Sequence, residues 1–221
     1  MKYLILSFFF KIYHLVLYKK WLDGLVYRSK ILGLYKNNIN VYKVFNTKVV
    51  YNGNHNNVYL HGSIEGCNIR IEGDNNVLLI EEKTTLHNCT IIIRGNNCNV
   101  KIGKSTRIQS NGKIVCQGDS VGIRIGELCL FSENIDIWNS DTHTIYDIHN
   151  VVINKPQSVN IGNHVWLGKG VSILKGVSIA DNVVIGMDSV VTTSFHKNCV
   201  IAGNPAKVLK EGTNWDEKFV F

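Results

Sequence analysis

The sequence holds only two prolines, and its 19 glycines are an ordinary number for 221 residues, so neither a collagen-like chain nor a Gly-rich linker is present. No run of eighteen uncharged apolar residues occurs, which argues against a spanning helix. None of the six cysteines (Cys67, Cys89, Cys98, Cys116, Cys129, Cys199) forms a C-x-x-C, and no Cys/His group has zinc-finger spacing. They read as small buried residues of a reduced compartment, and nothing predicts a metal. With 45% hydrophobic and 19% charged residues the chain is not disordered, and its length supports one domain with a sizeable core. One residue type is in excess: 26 asparagines imply many turns, because Asn tolerates the left-handed backbone region.

Acidic residues are almost missing from the N-terminus. Residues 1–50 carry nine Lys or Arg against a single acid, Asp23, whereas the rest of the chain is close to neutral. A basic segment can meet a membrane surface, nucleic acid or an anionic glycan, or be a solvated helix face. Lys2 and the apolar run Tyr3–Phe10 look like the start of a signal peptide, but no small-residue cleavage site follows. Leu4, Phe8 and Leu15 share a helical face with Lys11. That pattern predicts a helical segment over roughly residues 1–35, within a basic region 1–44, packed on the body or lying on a membrane through residues 1–20.

The strongest signal is a period of six. Ile161, Leu167, Ile173, Ile179, Ile185 and Val191 follow one another without a break, and Val165, Val171, Val177 and Val183 keep the same step. Small or turn-forming pairs lie between them, such as Gly162-Asn163 and Asp181-Asn182. A helix repeats at 3.6 and a plain strand at 2, so neither explains six. Short strands separated by corners do, each pointing one aliphatic side chain into a column shared with its neighbours. A looser version precedes it, with Gly53-Asn54-His55-Asn56-Asn57-Val58, Gly73-Asp74-Asn75-Asn76-Val77 and Gly95-Asn96-Asn97-Cys98-Asn99-Val100 recurring at longer spacing. The expectation is an all-β parallel β-helix over 45–205, with Asn side chains bonding along the corners and a C-terminal tail 206–221. Residues 141–157 break the rhythm and read as a projecting loop, where function is most often carried.

These units, with Ala202-Gly203-Asn204-Pro205-Ala206-Lys207 after them, resemble the hexapeptide-repeat acyltransferases. The similarity is greatest to the maltose, galactoside and capsular-polysaccharide O-acetyltransferases. It covers about residues 102–210, is weak over 45–101, and is absent before that. The resemblance implies a left-handed coil, a homotrimer and acetyl-CoA as acetyl donor. Ser140-Asp141-Thr142-His143-Thr144 resembles the loop that carries the family's catalytic histidine, and Asn163-His164-Val165-Trp166-Leu167-Gly168 resembles a further family motif. Met187 departs from the Ala or Gly that the family often shows there, which puts the donor contacts at that position in question.

An alcohol is a poor nucleophile until a base removes its proton, and histidine titrates near enough to neutrality to take that proton and return it to a leaving thiolate. His143 is the candidate base, with His149 and His164 as backups. Asp141, Glu133 and Asp147 are candidates to orient it. Resemblance assigns Trp166 to the oxyanion or the thioester, against the alternative of a packing tryptophan. It places donor contacts at Gly168, Gly186, Met187 and Thr192, and Lys169 and Lys207 carry charge that could pair with the donor's phosphates. Trp138 follows the inward Ile137 and points outward, with the acceptor as one possible target. The reading is an O-acetyltransferase acting on a sugar or a capsular or lipopolysaccharide glycan, cytoplasmic and with a place at the inner membrane face open to it, without a nucleic-acid partner. Two alternatives stand beside it: a non-catalytic β-helix scaffold, and an acetyltransferase with an amine acceptor.

Overall fold

The computed structural model describes residues 26–27, 29–218 and 220. The chain winds as a three-sided parallel β-helix. Each coil contributes a strand to a first face (Thr85–His87, Arg107–Ile108, Leu130–Phe131, Trp166–Leu167, Val184–Ile185), then a second, then a third. The second face is a separate 8-stranded sheet from Lys30–Leu32 to Val190–Val191. The third face includes Val77–Ile80, Asn99–Ile102, Gly122–Ile125 and Val159–Ile161. Asn38–Phe45 and Asn57–Glu65 are long enough to bend from the third face round into the first, which joins those two faces into one 15-stranded sheet.

The expected period is the register of this coil. On the second face Ile69, Ile91, Ile114, Ile137, Ile173 and Val191 stand in successive paired positions. All six are buried, as are the six hexad residues from Ile161 to Val191 and the four valines that keep step with them. Because neighbouring coils stack in register, every inward side chain meets its counterparts above and below, and the core is one continuous column.

The corners explain the asparagines. Asn46, Asn75, Asn88, Asn97, Asn111, Asn134, Asn182 and Asn198 all adopt positive φ, the left-handed region in which a short polar side chain costs little. A second set points inward and bonds along the axis, as expected. Asn56 Nδ2 donates to Asn37 Oδ1 at 3.0 Å and to the Gly73 carbonyl at 2.9 Å. The N–H of Asn76 reaches Asn56 Oδ1 at 2.9 Å, and that of Cys98 reaches Asn76 Oδ1 at 2.8 Å. Two other corners carry ladders of Thr and Cys: the Cys67 N–H bonds Thr47 Oγ1, and the Cys129 N–H bonds Thr106 Oγ1. Cys67 and Cys129 thus fill small inward corner sites; all six cysteines are buried and free.

One boundary differs from the sequence reading. A helical segment to about residue 35 within a region 1–44 is not what residues 26–45 form: Lys30–Leu32 and Asn38–Phe45 are strands that begin the column. Their alternation of buried and exposed residues, clear in Asn38–Phe45, is the strand period. The proposed amphipathic helix and its membrane contact through residues 1–20 lie outside the described residues. Among the described residues no helix is long and apolar enough to cross a membrane. At the far end, Cys199–Gly203 receives an antiparallel partner, Ala206–Glu211, so the last edge of the first face is covered.

Candidate functional site

The loop leaves the column where the second face ends, after Asp136–Trp138, and returns at Val159–Ile161. It is built around Asn154. The Asn154 side chain donates to the His143 carbonyl at 2.7 Å and to Asp141 Oδ2 at 3.0 Å, while its Oδ1 accepts the Ile145 N–H at 2.8 Å. Lys175, on the next coil, bonds Asp141 and reaches the Asn154 carbonyl. The bond from Lys175 holds the Asp141 carboxyl below its usual range, assisted by Asn154. Asp147 closes the tip by accepting the N–H groups of His149 and Val151. A pairing between Tyr146 and Val152 completes a small hairpin-like lobe.

This frame presents His143 to solvent. Among the described residues its imidazole makes no hydrogen bond or ion pair, so both ring nitrogens are open to a ligand or a second chain. None of the three carboxylates considered as its orienting partner touches it. Asp141 is bound by Lys175, Glu133 pairs with Lys169 at 3.6 Å, and Asp147 caps the loop backbone. Of the backup histidines, His149 is exposed near the loop tip, whereas His164 is held by Asn182 and stacked on by Trp215.

Trp166 stands on the first face, not beside His143. Its indole is 39% exposed, so it is not buried packing in the single chain. Gly168 and Lys169 follow at the edge between first and second faces, with Gly186 and Met187 one coil on and Lys207 in the antiparallel strand beyond. The structure therefore brings Trp166, Gly168, Lys169, Gly186, Met187 and Lys207 to one edge of the column. Thr192 follows Val190–Val191 and so belongs to the opposite edge of the second face, the one that carries His143 and Asp141. Gly168 and Gly186 also have a structural reason to be glycine: a Cβ at Gly168 would lie 2.8 Å from the Met187 nitrogen, and one at Gly186 would lie 2.8 Å from the Ala202 side chain. Met187 is 64% exposed and Lys207 is exposed, as groups that met a donor molecule would be.

Sequence reasoning missed two features. The tail folds back along the first face, where Trp215 stacks on His164 with ring centres 4.2 Å apart and lies 5.8 Å from Trp166. Trp215 Nε1 donates to the His164 carbonyl at 2.8 Å, and Glu217 pairs with Arg107 further down. Lys175 is the second. Among the described residues no cluster of three or more His, Cys, Asp or Glu side chains could hold a metal ion.

Known proteins were compared with this arrangement. The family profile described as bacterial transferase hexapeptide (six repeats) matches residues 158–193. The polysialic acid O-acetyltransferase of Neisseria meningitidis is 39% identical over 125 residues, 55% of this chain and 57% of that protein. The solved structure of the polysialic acid O-acetyltransferase OatWY matches with a TM-score of 0.76 at 37% identity, covering 87% of this chain and 92% of the other. The polysialic acid-specific acetyltransferase NeuO matches with a TM-score of 0.74 at 29% identity, covering 86% and 88%. The matched part of the chain spans about half the length of the curated relatives. With a solenoid that matches OatWY over nearly its whole length, the chain belongs to the hexapeptide-repeat transferase family, and its coil is the left-handed β-helix that the resemblance implied.

Proposed function

We propose that the chain is an acetyl-CoA-dependent O-acetyltransferase whose acceptor is a hydroxyl of an acidic cell-surface glycan of the polysialic acid type. The observation that carries this is His143: an exposed imidazole with no partner among the described residues, on a braced loop that interrupts a regular column. A scaffold needs no such loop. The acceptor class comes from the relatives, which are named for polysialic acid.

In this reading His143 accepts the proton of the acceptor hydroxyl as its oxygen attacks the thioester carbonyl. The indole N–H of Trp166 donates to the oxygen that becomes negative. The C–S bond breaks, and the thiolate leaves with the proton returned by His143. A positioned base contributes on the order of 10²–10⁴-fold and an oxyanion donor on the order of 10²–10³-fold. Gly168, Gly186 and Met187 would line a slot for the pantetheine arm, with Lys207 as a cation for the phosphates and Lys169 as a second once freed from Glu133.

Because His143 and Trp166 stand on different faces, one chain does not assemble the site. We place it between subunits, His143 of one protomer facing Trp166 of the next in a closed trimer. The loop supports this: Ile145, Tyr146, Ile148, Val151 and Ile153 are all exposed, Ile148 at 93%, a patch suited to a second chain. The test is thiol release from acetyl-CoA with polysialic acid as acceptor, alongside sedimentation of the same sample. Turnover by a trimer, lost in His143→Ala, is expected. Full activity in a stable monomer would overturn the shared site, and turnover with amine acceptors alone would overturn the O-acetyl reading.

A further inference from the structure

On the second face, at the foot of the loop, lies a hollow of about 520 Å³ lined by Lys113, Asp136, Trp138 and Leu174 together with Ser140, Asp141, Thr142 and Ser172. That volume lies in the roughly 300–1,000 Å³ range of small-molecule sites. Two of its lining residues, Asp141 and Thr142, immediately precede His143 in the chain, so the hollow opens beside the candidate base. Its chemistry is mixed in a particular way. Trp138 and Leu174 offer apolar surface, and Ser140, Thr142 and Ser172 offer hydroxyls. There are three ionic groups to account for. Asp141 is neutralised by Lys175. Asp136 accepts the Trp138 Nε1–H at 3.1 Å, which fixes the indole, and among the described residues makes no ion pair. The Lys113 ammonium stands 4.6 Å from the centre of the Trp138 ring and has no carboxylate within ion-pair distance among the described residues. An aromatic face attracts a cation without neutralising it. Asp136, the register partner of Lys113 on the next coil, is the one carboxylate set beside it, and that carboxylate is turned to the indole N–H. The indole ring thus holds the Lys113 ammonium at the hollow without an ion pair.

We propose that this hollow is the acceptor subsite and that it selects a carboxylate-bearing sugar ring, with Lys113 Nζ as the counter-charge and Trp138 as the wall against which the ring rests. The proposal rests on the O-acetyltransferase reading above and deepens it by naming the residues that make the acceptor acidic. A neutral sugar fits the same hydroxyls and the same apolar wall but leaves Lys113 unpaired. A carboxylate on Lys113 forms a charge-assisted bond of the stronger kind. A ring held there lies next to Thr142 and His143, which suits transfer to one of its own hydroxyls or to those of the adjoining sugar.

The experiment uses the full-length protein with a short α-linked oligomer of sialic acid and the same oligomer after reduction of its carboxyls. Binding is followed by saturation-transfer NMR without donor, and turnover by thiol release with acetyl-CoA. The wild type is expected to favour the acidic oligomer by tenfold or more in both readouts. Lys113→Met should abolish that preference through acceptor KM, with kcat at saturating acceptor falling less than threefold. Lys113→Arg should restore part of it, and Trp138→Leu should weaken both oligomers alike. Lys113→Met that retains the full preference overturns the proposal, because a merely structural lysine would not carry charge selectivity. The two readings fail separately. Lys113-dependent binding without thiol release would sink the transferase and keep the subsite. Thiol release indifferent to Lys113 would do the reverse.

Discussion

The coils before residue 118 and those after residue 158 close the same triangle by different means. The early coils are long. Hydrogen-bonded equivalents lie 19 or 20 residues apart at the start, as for Asn37 with Asn56 and Asn56 with Asn76, and 22 or 23 further on, as for Asp74 with Asn96 and Lys104 with Glu81, and the extra residues lengthen strands and widen corners. Their corners are held by inward polar side chains: Asn37, Asn56 and Asn76 in one ladder, Thr84 and Thr106 in another. The late coils are tight, with equivalents such as Asn163 and Asp181 only 18 apart, and their inward corners are valines from Val165 to Val183, with the buried Ser189 following them. A polar ladder must satisfy every member, whereas an aliphatic stack asks only for volume. The difference suggests a division of labour. The early coils form a braced base, and the late coils a plain aliphatic stack. The loop is inserted at the seam, where equivalents such as Gly122 and Ser158 are 36 residues apart.

The largest expected effect would break this division if it failed. His143→Ala should lower kcat by about 10²–10⁴-fold while thermal unfolding stays within a degree or two, since the side chain has no partner to lose. A large fall in stability would show that the loop histidine is structural. Trp166→Phe keeps an aromatic ring and removes the N–H. It should cost on the order of 10²-fold in kcat, with the KM for acetyl-CoA changing much less, if the indole donates to the oxyanion. Equal losses for Trp166→Phe and Trp166→Ala would instead make the ring's bulk the active feature.

A stability effect without a catalytic one is expected in the base. Asn76→Ala strips the Cys98 N–H of its only partner and the Gly95 carbonyl of a 2.8 Å donor, in a site with no exposure. Orphaned buried groups cost about 1–3 kcal/mol each, so the loss should be about 3 kcal/mol by denaturant titration. Val183→Ala removes two buried methyl groups without orphaning anything, and should cost about 1–2 kcal/mol less. The reverse order would erase the contrast between ladder and stack. The same burial should make Cys129 inert to alkylation in the folded state: desolvation pushes its thiol up to about 11, beyond the reach of neutral-pH reagents.

Much of this was legible in the sequence, for a physical reason. A stacked coil must present an inward residue at the same point of every turn, so the six-residue spacing of Ile161 to Val191 is the fold itself written linearly. The loop was legible as the failure of that spacing. The ladder asparagines were legible because Asn at a corner has few other uses. What escaped was decided by contacts distant along the chain. Nothing around Lys175 marks it as the brace of Asp141, 34 residues earlier. Trp215 reads as a tail residue until the tail folds back 51 residues to His164. The first strands were misread because the apolar, basic start suggested a helix, and the alternation in Asn38–Phe45 is only one strand long. The placement of His143 and Trp166 on separate faces is a consequence of winding, which spacing alone does not reveal.

The smallest expected effect concerns the brace. Lys175 holds the Asp141 carboxyl below its usual range. A carboxylate depressed in the folded state contributes stability above the unfolded value, near 3.9, and loses it as the pH falls through the folded value. The brace is therefore complete at neutral pH and comes apart only well into the acid range. Asp141→Asn, measured against wild type, tests it. It keeps a polar group for Asn154 but discards the ion pair with Lys175. Its kcat should fall a few-fold at every pH, with the acid limb of the pH–rate profile unmoved. A limb that shifts in Asp141→Asn would mean that this carboxylate reaches His143 in the assembled enzyme, and that the loop closes further on its neighbour than the single chain shows.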